Sequence, residues 1–264
     1  MPVRFIILLF FCVPVLLQAA PSATRDGMVI IPAGPFIMGN DGGPEDERPS
    51  HEIMLAAFAI DRVPVTNAAF AEFLNASSDI NAKGERSFDA GDPDARIRQS
   101  GDRWTADKGY EHHPVVEVSW AGARDYCAWR GKRLPTEAEW EKAARGSDAR
   151  RYPWGNAPPD RSRARFAAGW NQTAPVDNHP GGASPYGVRD MSGNVWEWVA
   201  SAYRPYPYRD DDGRENPAAG PVRATRGGGH DSPASEITTT QRGKGLSRNP
   251  RSGHHNIGFR CAGG

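Results

Sequence analysis

The chain has 264 residues, 38% of them hydrophobic, and its 32 acidic and 32 basic side chains give a formal net charge of zero. This length fits one large domain or at most two small ones. The 29 glycines and 23 prolines argue against a long helical bundle, because both residues interrupt helices. The balanced charge, with no stripe of lysine and arginine, gives no basis for nucleic-acid binding.

The N-terminus differs from the rest of the chain in its hydrophobicity. Arg4 precedes an unbroken apolar run from Phe5 to Leu17, which is too short to span a bilayer comfortably and is followed by small residues. We therefore predict a cleaved secretory signal peptide over residues 1–20, with an uncleaved anchor as the alternative. The mature protein is then secreted or periplasmic, and no membrane attachment is expected after cleavage.

Short strands are expected at the beginning of the mature chain. They are predicted at 28–31 and 36–38, on either side of a Pro-Ala-Gly-Pro turn, and again within 52–65. Residues 113–120, with the sequence HPVVEVSW, are expected to form a strand that runs into a helix. Residues 77–113 are poor in apolar side chains and rich in Asp, Gly, Arg and Ser, so we interpret them as one long surface loop.

Three helices are expected, each with its own capping signal, at 66–77, 119–131 and 136–146. Thr66 and Ser119 stand in the N-cap positions of the first two. The third helix has the clearest signal, because Thr136 and Glu139 match a capping box in which each side chain accepts a backbone N–H at the helix entrance. Gly146 ends this helix, and beyond it the sequence predicts only strands and loops.

The segment DMSGNVWEWVAS, residues 190–201, has features of a metal-binding loop. Asp190 and Glu197 stand seven residues apart around a Ser-Gly-Asn turn. Calcium prefers six to eight oxygen ligands, which often mix carboxylates with main-chain carbonyls. The same pattern is typical of a plain capped turn in which Glu197 forms a salt bridge, and from the residues alone we favour that simpler interpretation.

A second segment with reactive residue types is RGGGHDSPASEITTTQRG, residues 226–243. His230, Asp231 and Ser232 are adjacent in the chain, whereas the members of a Ser-His-Asp triad meet in space from different loops. The segment is therefore not a catalytic triad. Histidine and carboxylate side chains together suit iron or zinc, and surface histidines in a glycine-rich loop are the simpler alternative.

Five segments of the chain carry long and specific motifs, in the order MVIIPAGPFIMGN, HPVVEVSWAGARDYCAWRGKRLPTEAEWEKAARG, RYPWGN, YGVRDMSGNVWEWV and NIGFRCAGG. Together they closely resemble the formylglycine-generating enzyme family, also called sulfatase-modifying factors. The resemblance covers residues 27–264. It implies a single compact α+β domain with little regular secondary structure, related to the C-type lectin fold.

The family carries its oxidation chemistry on a cysteine pair that binds copper(I). Matched without gaps back from NIGFRC, the family's two copper cysteines fall on Ser232 and Ile237, and a family serine falls on Gly229. Copper(I) is soft and selects thiolates, which a hydroxyl and a butyl side chain do not replace. Copper is therefore not expected, and no residue of this segment is assigned a catalytic role.

Removal of the signal peptide leaves two cysteines, and two cysteines in an exported protein most simply form one disulfide. The resemblance implies the same pair. Family members join the helix that carries YCAW to the terminal GFRC, and these positions match Cys127 and Cys261. Some members have a second disulfide, whose positions fall on Ala144 and Arg242, so both of its halves are absent here.

Calcium is the cofactor that the resemblance implies. The family binds calcium through the loop that matches residues 190–197. The predicted ligands are two side chains and two main-chain carbonyls, those of Asp190, Glu197, Gly193 and Val195. A second family site would fall within residues 164–174, which lack an acidic residue at a clear match, and that site stays open.

Three functions follow for a family member without the copper cysteines. The first is an exported, calcium-stabilised domain whose former substrate cleft binds a peptide or small-molecule ligand, or assists the maturation of one. The predicted cleft contains Trp196, Gly229, His230 and Asp231. We favour this function, for a protein that acts as a monomer with an unidentified ligand.

The second function is a non-copper oxidoreductase acting on an exported substrate. Some exported relatives that lack the copper cysteines are implicated in oxidising a siderophore chromophore. Here His230 and Asp231, joined by a histidine at position 254 or 255, would bind iron or zinc. The third function is residual formylglycine generation by another route.

Overall fold

A computed structural model of the chain describes residues 24–25, 27–220, 222–243 and 250–264. The predicted signal peptide, residues 1–20, lies outside these ranges. Within them, no helix combines the length and the apolar character that a membrane crossing requires.

The described residues form eleven short strands and three helices, joined by long stretches of irregular backbone. The strands are β1 (Thr24–Arg25), β2 (Met28–Ile31), β3 (Gly34–Met38), β4 (His51–Leu55), β5 (Phe58–Asp61), β6 (Ile97–Ser100), β7 (Arg103–Ala106), β8 (Trp196–Ala202), β9 (Arg223–Arg226), β10 (Ile257–Phe259) and β11 (Ala262–Gly263). The helices are α1 (Asn67–Ala76), α2 (Trp120–Trp129) and α3 (Glu137–Arg145). The predicted α+β class with little regular secondary structure is confirmed.

The strands form four small sheets. One has the order β1-β2-β5-β11 and a second has the order β10-β8-β9, while β3-β4 and β6-β7 are two-stranded. Strand β10 runs parallel to β8, with Ile257 opposite Trp196 and Phe259 opposite Trp198. This pairing places the C-terminal motif beside the end of the 190–197 loop.

The helix boundaries follow the predicted caps. The hydroxyls of Thr66 and Ser119 accept backbone N–H groups at 3.2 and 3.0 Å. Thr136 and Glu139 form the complete capping box, with Thr136 N donating to Glu139 Oε2 at 2.9 Å and Glu139 N donating to Thr136 Oγ1 at 3.1 Å. Gly146 follows α3 with φ +70°, a conformation that favours glycine. All three predicted helices are confirmed.

Two sequence-based expectations are wrong. Residues 113–118 do not form a strand, because Glu117 adopts φ +59° and interrupts the extended backbone. Residues 77–113 are more than a surface loop, since they contain the β6–β7 hairpin and contribute buried side chains to the core. These core residues are Phe88, Ala95, Ile97 and Trp104.

The largest apolar cluster lies between α1, α2 and the β8–β10 sheet. Phe70 of α1 and Tyr126 of α2 stack there with ring centroids 5.6 Å apart, and Phe259 of β10 meets Tyr126 edge-on at 5.4 Å. Cys127 of α2 and Cys261, just after β10, form a disulfide with their Cα atoms 5.6 Å apart. The predicted cysteine pair is confirmed, and it joins α2 to the C-terminal segment.

A second part of the interior is ionic. Glu137 and Glu141 of α3 are fully buried together with Arg226 of β9, which donates hydrogen bonds to both glutamates. Arg242 is also buried, and its Nε donates to Glu137 Oε1 at 2.7 Å. Arg242 and Ala144 are the positions to which the resemblance assigns a second disulfide. At the first of these positions the chain therefore has a buried ion pair with Glu137.

Candidate functional site

The segment 226–243 is held by backbone hydrogen bonds to two other parts of the chain. The N–H of His230 donates to the carbonyl of Asn194, in the 190–197 loop, at 2.8 Å. Two N–H groups of the segment 164–174 donate to carbonyls of the 226–243 segment, also at 2.8 Å. Three segments that are separate in the sequence therefore meet at one place.

The glycines of the 226–243 segment are required by close packing. Gly228 adopts φ +78°, and a Cβ atom there would lie 2.4 Å from Glu236 O. A Cβ atom on Gly229 would lie 2.9 Å from Asp231 Oδ1 and 3.1 Å from Trp196 Cδ1. The glycine run thus allows the segment to fold back on itself.

The two positions matched to copper cysteines have structural contacts of their own. Ser232 Oγ accepts the N–H of Gly229 at 3.1 Å. Ile237 is fully buried in an apolar cluster with Tyr152 and Ala164. Because the remaining pair of cysteines forms the disulfide, no thiol is left among the described residues to bind a soft metal.

A histidine–carboxylate cluster, which we call the His–Asp–His cluster, lies in the same segment and in the chain just before β10. It consists of His230, Asp231 and His255, each of which offers one ligand-type atom within 4.8 Å of the other two. His255 Nε2 lies 3.1 Å from Asp231 Oδ2, and Asn256 Nδ2 donates to the same carboxylate at 3.1 and 3.2 Å. Trp170 stacks on His255 with ring centroids 3.6 Å apart.

These contacts determine the charges of the cluster. The hydrogen bond with His255 is the main cause that lowers the pKa of Asp231 to about 2. Burial lowers the pKa of His230, although its backbone hydrogen bond and Asp231 act in the opposite direction. The cluster therefore holds an ionised carboxylate beside a neutral histidine at neutral pH. His254 is not a member, and its ring lies 6.3 Å from the ring of Trp198.

The negative charge of Glu197, one of the predicted calcium ligands, is balanced by the guanidinium of an arginine. Arg260 Nε donates to Glu197 Oε2 and Arg260 Nη2 donates to Oε1, both at 2.7 Å. Trp140 Nε1 adds a third hydrogen bond to Oε2 at 2.8 Å. The salt bridge considered from the residues alone is therefore present. Oε2 accepts two of these hydrogen bonds and Oε1 accepts one, so only Oε1 of Glu197 retains acceptor capacity for a further ligand.

The carboxylate of Asp190 has fewer hydrogen-bond partners than that of Glu197. The buried Asp190 carboxylate accepts one long hydrogen bond, from Asp177 N at 3.2 Å. Burial is the main cause that raises the pKa of Asp190 to about 6. The predicted carbonyl ligands, those of Gly193 and Val195, belong to the same turn. A buried carboxylate with so little compensation fits a bound cation.

In the segment 164–174, where a second family calcium site would fall, the side chain of Arg165 is hydrogen-bonded to Gln172. Arg165 Nε donates to Gln172 O at 2.8 Å, and Arg165 Nη2 donates to Gln172 Oε1 at 3.0 Å. A cation in this segment would face the positive charge of Arg165.

Among the described residues, those predicted to form the ligand cleft do not line a common cavity. Trp196 is buried and packs against Gly229, so these two residues do not form an open wall. Residues 235–241 of the same segment do border a cavity of about 670 Å³. Glu47 lines this cavity and is buried, with Thr240 Oγ1 donating to its Oε2 at 2.6 Å.

An acidic cluster lies on the other side of Trp170. The carboxylates of Asp92, Asp94 and Glu117 lie within 4.8 Å of one another. Trp170 Nε1 donates to Asp94 Oδ2 at 2.7 Å, so this indole connects the acidic cluster to His255. Burial, with smaller contributions from the neighbouring aspartates, raises the pKa of Glu117 to about 8.

Residues 14–263 match a family model described as the sulfatase-modifying factor enzyme 1-like domain. The chain belongs to the sulfatase-modifying factor family. The match includes the disulfide, the 190–197 loop and the 226–243 segment, so the resemblance seen in the sequence is confirmed.

Individual relatives have different names. The serine/threonine-protein kinase pkn1 of Chlamydia caviae is 39% identical over 253 residues, which are 94% of this chain and 39% of the relative. This chain therefore spans less than half of that relative's length. A formylglycine-generating enzyme of Thermomonospora curvata is 36% identical over 298 residues, covering 93% of this chain and 96% of the relative. The structure of PvdO from Pseudomonas aeruginosa has a TM-score of 0.68 at 26% identity, covering 93% and 99% of the two chains.

Sequence reasoning missed several partners in this sulfatase-modifying factor domain. Arg260 stands one residue before Cys261 in the GFRC motif, and this position was a usable signal for the partner of Glu197. Trp170 and Asn256 gave no local signal, because their contacts form only when distant loops meet. The acidic cluster was missed because two of its members lie in the region interpreted as a surface loop.

Replacing Glu117 with glutamine is expected to change how stability depends on pH. The folded-state pKa of about 8 lies above the ordinary value of 4.5. The contribution of Glu117 to stability is therefore fully present below about pH 4.5 and is lost as the pH rises through about 8. The free energy of unfolding should fall by at most about 1.4 kcal/mol per pH unit in this window, and Glu117→Gln should flatten the fall.

Urea denaturation of both proteins between about pH 5 and pH 9, in the presence of a chelator, measures this difference. Glu72→Gln, at an exposed position of α1, is the matched control and should retain the wild-type slope. An identical slope in wild-type and Glu117→Gln protein would show that Glu117 titrates normally.

Proposed function

We propose that this chain is an exported member of the sulfatase-modifying factor family in which the copper-oxidase site has been lost. In this proposal it binds a peptide or small-molecule ligand, or assists the maturation of one, and does not convert cysteine to formylglycine. The observation that carries the proposal is the pair Ser232 and Ile237. The hydroxyl of Ser232 accepts a hydrogen bond from the backbone of Gly229, and the side chain of Ile237 is packed in an apolar cluster. Neither side chain can replace a thiolate as a copper(I) ligand.

The cavity bordered by residues 235–241 is the place that we propose for the ligand. Its walls are largely polar and include the hydroxyl-bearing residues Ser235, Thr238 and Thr240. Glu47 Oε1 is buried at this cavity without a hydrogen-bond partner among the described residues. Arg145 and Arg151 also line the cavity, so its walls offer both donors and acceptors, as the backbone of an extended peptide requires. The same proposal includes a monomer that binds neither nucleic acid nor membrane after signal cleavage.

Incubation with a sulfatase-type Cys-x-Pro-x-Arg peptide is expected to leave the peptide cysteine unchanged. The physical reason is the absence of the thiolate pair that the family uses for copper(I). Mass spectrometry of the peptide gives the result, with a formylglycine-generating relative as the positive control. Conversion of the cysteine by this chain would contradict the proposal.

We also propose that calcium binds in the 190–197 loop and stabilises the fold. Asp190, Glu197, Gly193 O and Val195 O would hold the ion. The support is the buried and weakly compensated carboxylate of Asp190. Bound calcium would supply positive charge to this carboxylate and cross-link the turn.

Calcium is therefore expected to raise the melting temperature of chelator-treated protein, and Asp190→Asn is expected to remove the rise. At a hundredfold excess over Kd, the ion adds about 2.7 kcal/mol, which corresponds to several degrees for a domain of this size. Differential scanning fluorimetry with EGTA and with added calcium measures the effect. Equal calcium responses in wild-type and Asp190→Asn protein would contradict the assignment.

Glu197→Ala gives a different result in the same assay. It should lower the melting temperature even in EGTA, because it leaves the buried guanidinium of Arg260 without its counter-charge. It should also remove the response to calcium.

A non-copper oxidoreductase is the second candidate. The observation that favours it is the His–Asp–His cluster, in which a neutral histidine and an ionised carboxylate lie together beside the former copper positions. A siderophore gene cluster next to the gene would favour this candidate, whereas a sulfatase or a nitrite-reductase operon would point to other roles. Residual formylglycine generation is the least supported of the three functions.

A further inference from the structure

We propose that His230, Asp231 and His255 bind one divalent transition-metal ion of the class of zinc and iron(II). The ligands would be Nε2 of His230, the carboxylate of Asp231 and a ring nitrogen of His255. This site adds to the ligand-binding proposal and does not depend on which ligand the protein takes.

His230 is oriented as a metal ligand. Its side chain is fully buried, and its Nδ1 lies 3.0 Å from the carbonyl oxygen of Asn194. Since a carbonyl only accepts, Nδ1 carries the proton and Nε2 of the neutral ring has a free lone pair. Nε2 has no hydrogen-bond partner among the described residues. A ring N–H bonded to a backbone carbonyl is a common way in which proteins orient a metal-binding histidine.

A buried nitrogen without a partner also requires an explanation in energetic terms. Leaving such an acceptor unsatisfied costs free energy, because the hydrogen bond to water is lost on burial, so buried polar atoms of this kind are uncommon. Asp231 and His255 each offer a ligand-type atom within 4.8 Å of a ring nitrogen of His230. A bound cation would satisfy Nε2 of His230 and the negative charge of Asp231 together.

The other two ligands are positioned but retain some freedom. His255 is stacked on Trp170, and Asn256 donates to both oxygens of Asp231. Ligand atoms at about 2.1 Å from one ion stand roughly 3–4 Å apart, so a separation of 4.8 Å has to shorten by about 1–2 Å, shared between the two side chains. The side chains of His255 and Asp231 are 16% and 29% exposed, so they have room for such shifts.

The donor set selects the class of ion. Calcium prefers oxygen ligands and copper(I) prefers sulfur, whereas two imidazoles and one carboxylate suit zinc and iron(II). Three protein ligands would leave coordination positions free for water or another ligand. In the metal-free protein, a hydrogen bond joins His255 to Asp231, and metal binding would replace its proton.

Titration of chelator-treated protein with cobalt(II) tests the proposal, because the visible absorption of cobalt reports nitrogen and oxygen coordination. We expect one equivalent to bind and zinc to displace it. Asp231→Asn and His255→Asn should each weaken binding by at least about a hundredfold, since even residues behind the ligands change affinity by about 10–100-fold. His112→Ala, at an exposed histidine, is the control and should bind like wild type.

Melting curves in EDTA establish that the substituted proteins are folded, and both substitutions are at partly exposed positions. The metal site is overturned if wild-type protein binds no stoichiometric cobalt, or if both substituted proteins bind it as tightly as wild type. Either result leaves the ligand-binding proposal standing. That proposal fails separately, if the Cys-x-Pro-x-Arg peptide is converted.

Discussion

Removal of the Cys127–Cys261 disulfide is expected to lower the free energy of unfolding by about 5 kcal/mol. The bond joins residues that are 134 positions apart in the chain. In the chain-entropy model, a cross-link over so long a loop restricts the unfolded chain by roughly this amount. Domains are typically stable by about 5–15 kcal/mol, so the protein with both cysteines changed to alanine should lie near its stability limit.

Urea denaturation of oxidised wild type and of the Cys127→Ala, Cys261→Ala protein measures this loss. Alanine is the appropriate replacement, because both cysteines are fully buried in the apolar cluster around α2. Reductant should destabilise the wild type and leave the alanine protein unchanged. A loss below about 1 kcal/mol would contradict the chain-entropy argument.

Arg226→Met is expected to destabilise the protein by about 3–5 kcal/mol. The guanidinium of Arg226 is fully buried and donates to Glu137 and Glu141. After the substitution Glu137 still pairs with Arg242, and Glu141 still pairs with Arg145. Two buried negative charges then lose a shared counter-charge, and a methionine side chain offers them no hydrogen bond.

The matched control is Arg209→Met, which removes an ion pair with Asp211 between side chains that are about two thirds exposed. Such surface pairs contribute about 0–1 kcal/mol. Adding Glu141→Gln to Arg226→Met should recover part of the lost stability, since it removes one of the two buried negative charges that Arg226 had neutralised. If Arg226→Met costs no more than Arg209→Met, the buried pairs do not stabilise the interior as described.

The features that local sequence determines were predicted well. The three helices begin where Thr66, Ser119 and Thr136 provide caps, because a cap depends on residues within one turn. The first strands of the mature chain were also located, since they are short apolar runs on either side of a Pro-Ala-Gly-Pro turn. The disulfide followed from the cysteine count and from the family motifs.

The features that depend on distant contacts were not predicted. The residues around Glu117 favour a β-strand, yet Glu117 adopts a positive φ where the chain packs beside Gly253. The partners of the histidine–carboxylate cluster come from separate loops, and Trp170 is brought to His255 only by the fold. The buried pairing of α3 with Arg226 and Arg242 was likewise invisible, because charged residues on a helix usually face solvent.

The central claim is that this sulfatase-modifying factor domain has lost the family's copper chemistry, and a copper(I) competition titration tests it most directly. The protein, with its Cys127–Cys261 disulfide intact, is titrated against a chromophoric copper(I) chelator. We expect wild type to remove no copper from the chelator, while the Ser232→Cys, Ile237→Cys protein gains binding if its thiols lie at the family's positions. Tight stoichiometric binding of copper(I) by the wild type would contradict the account.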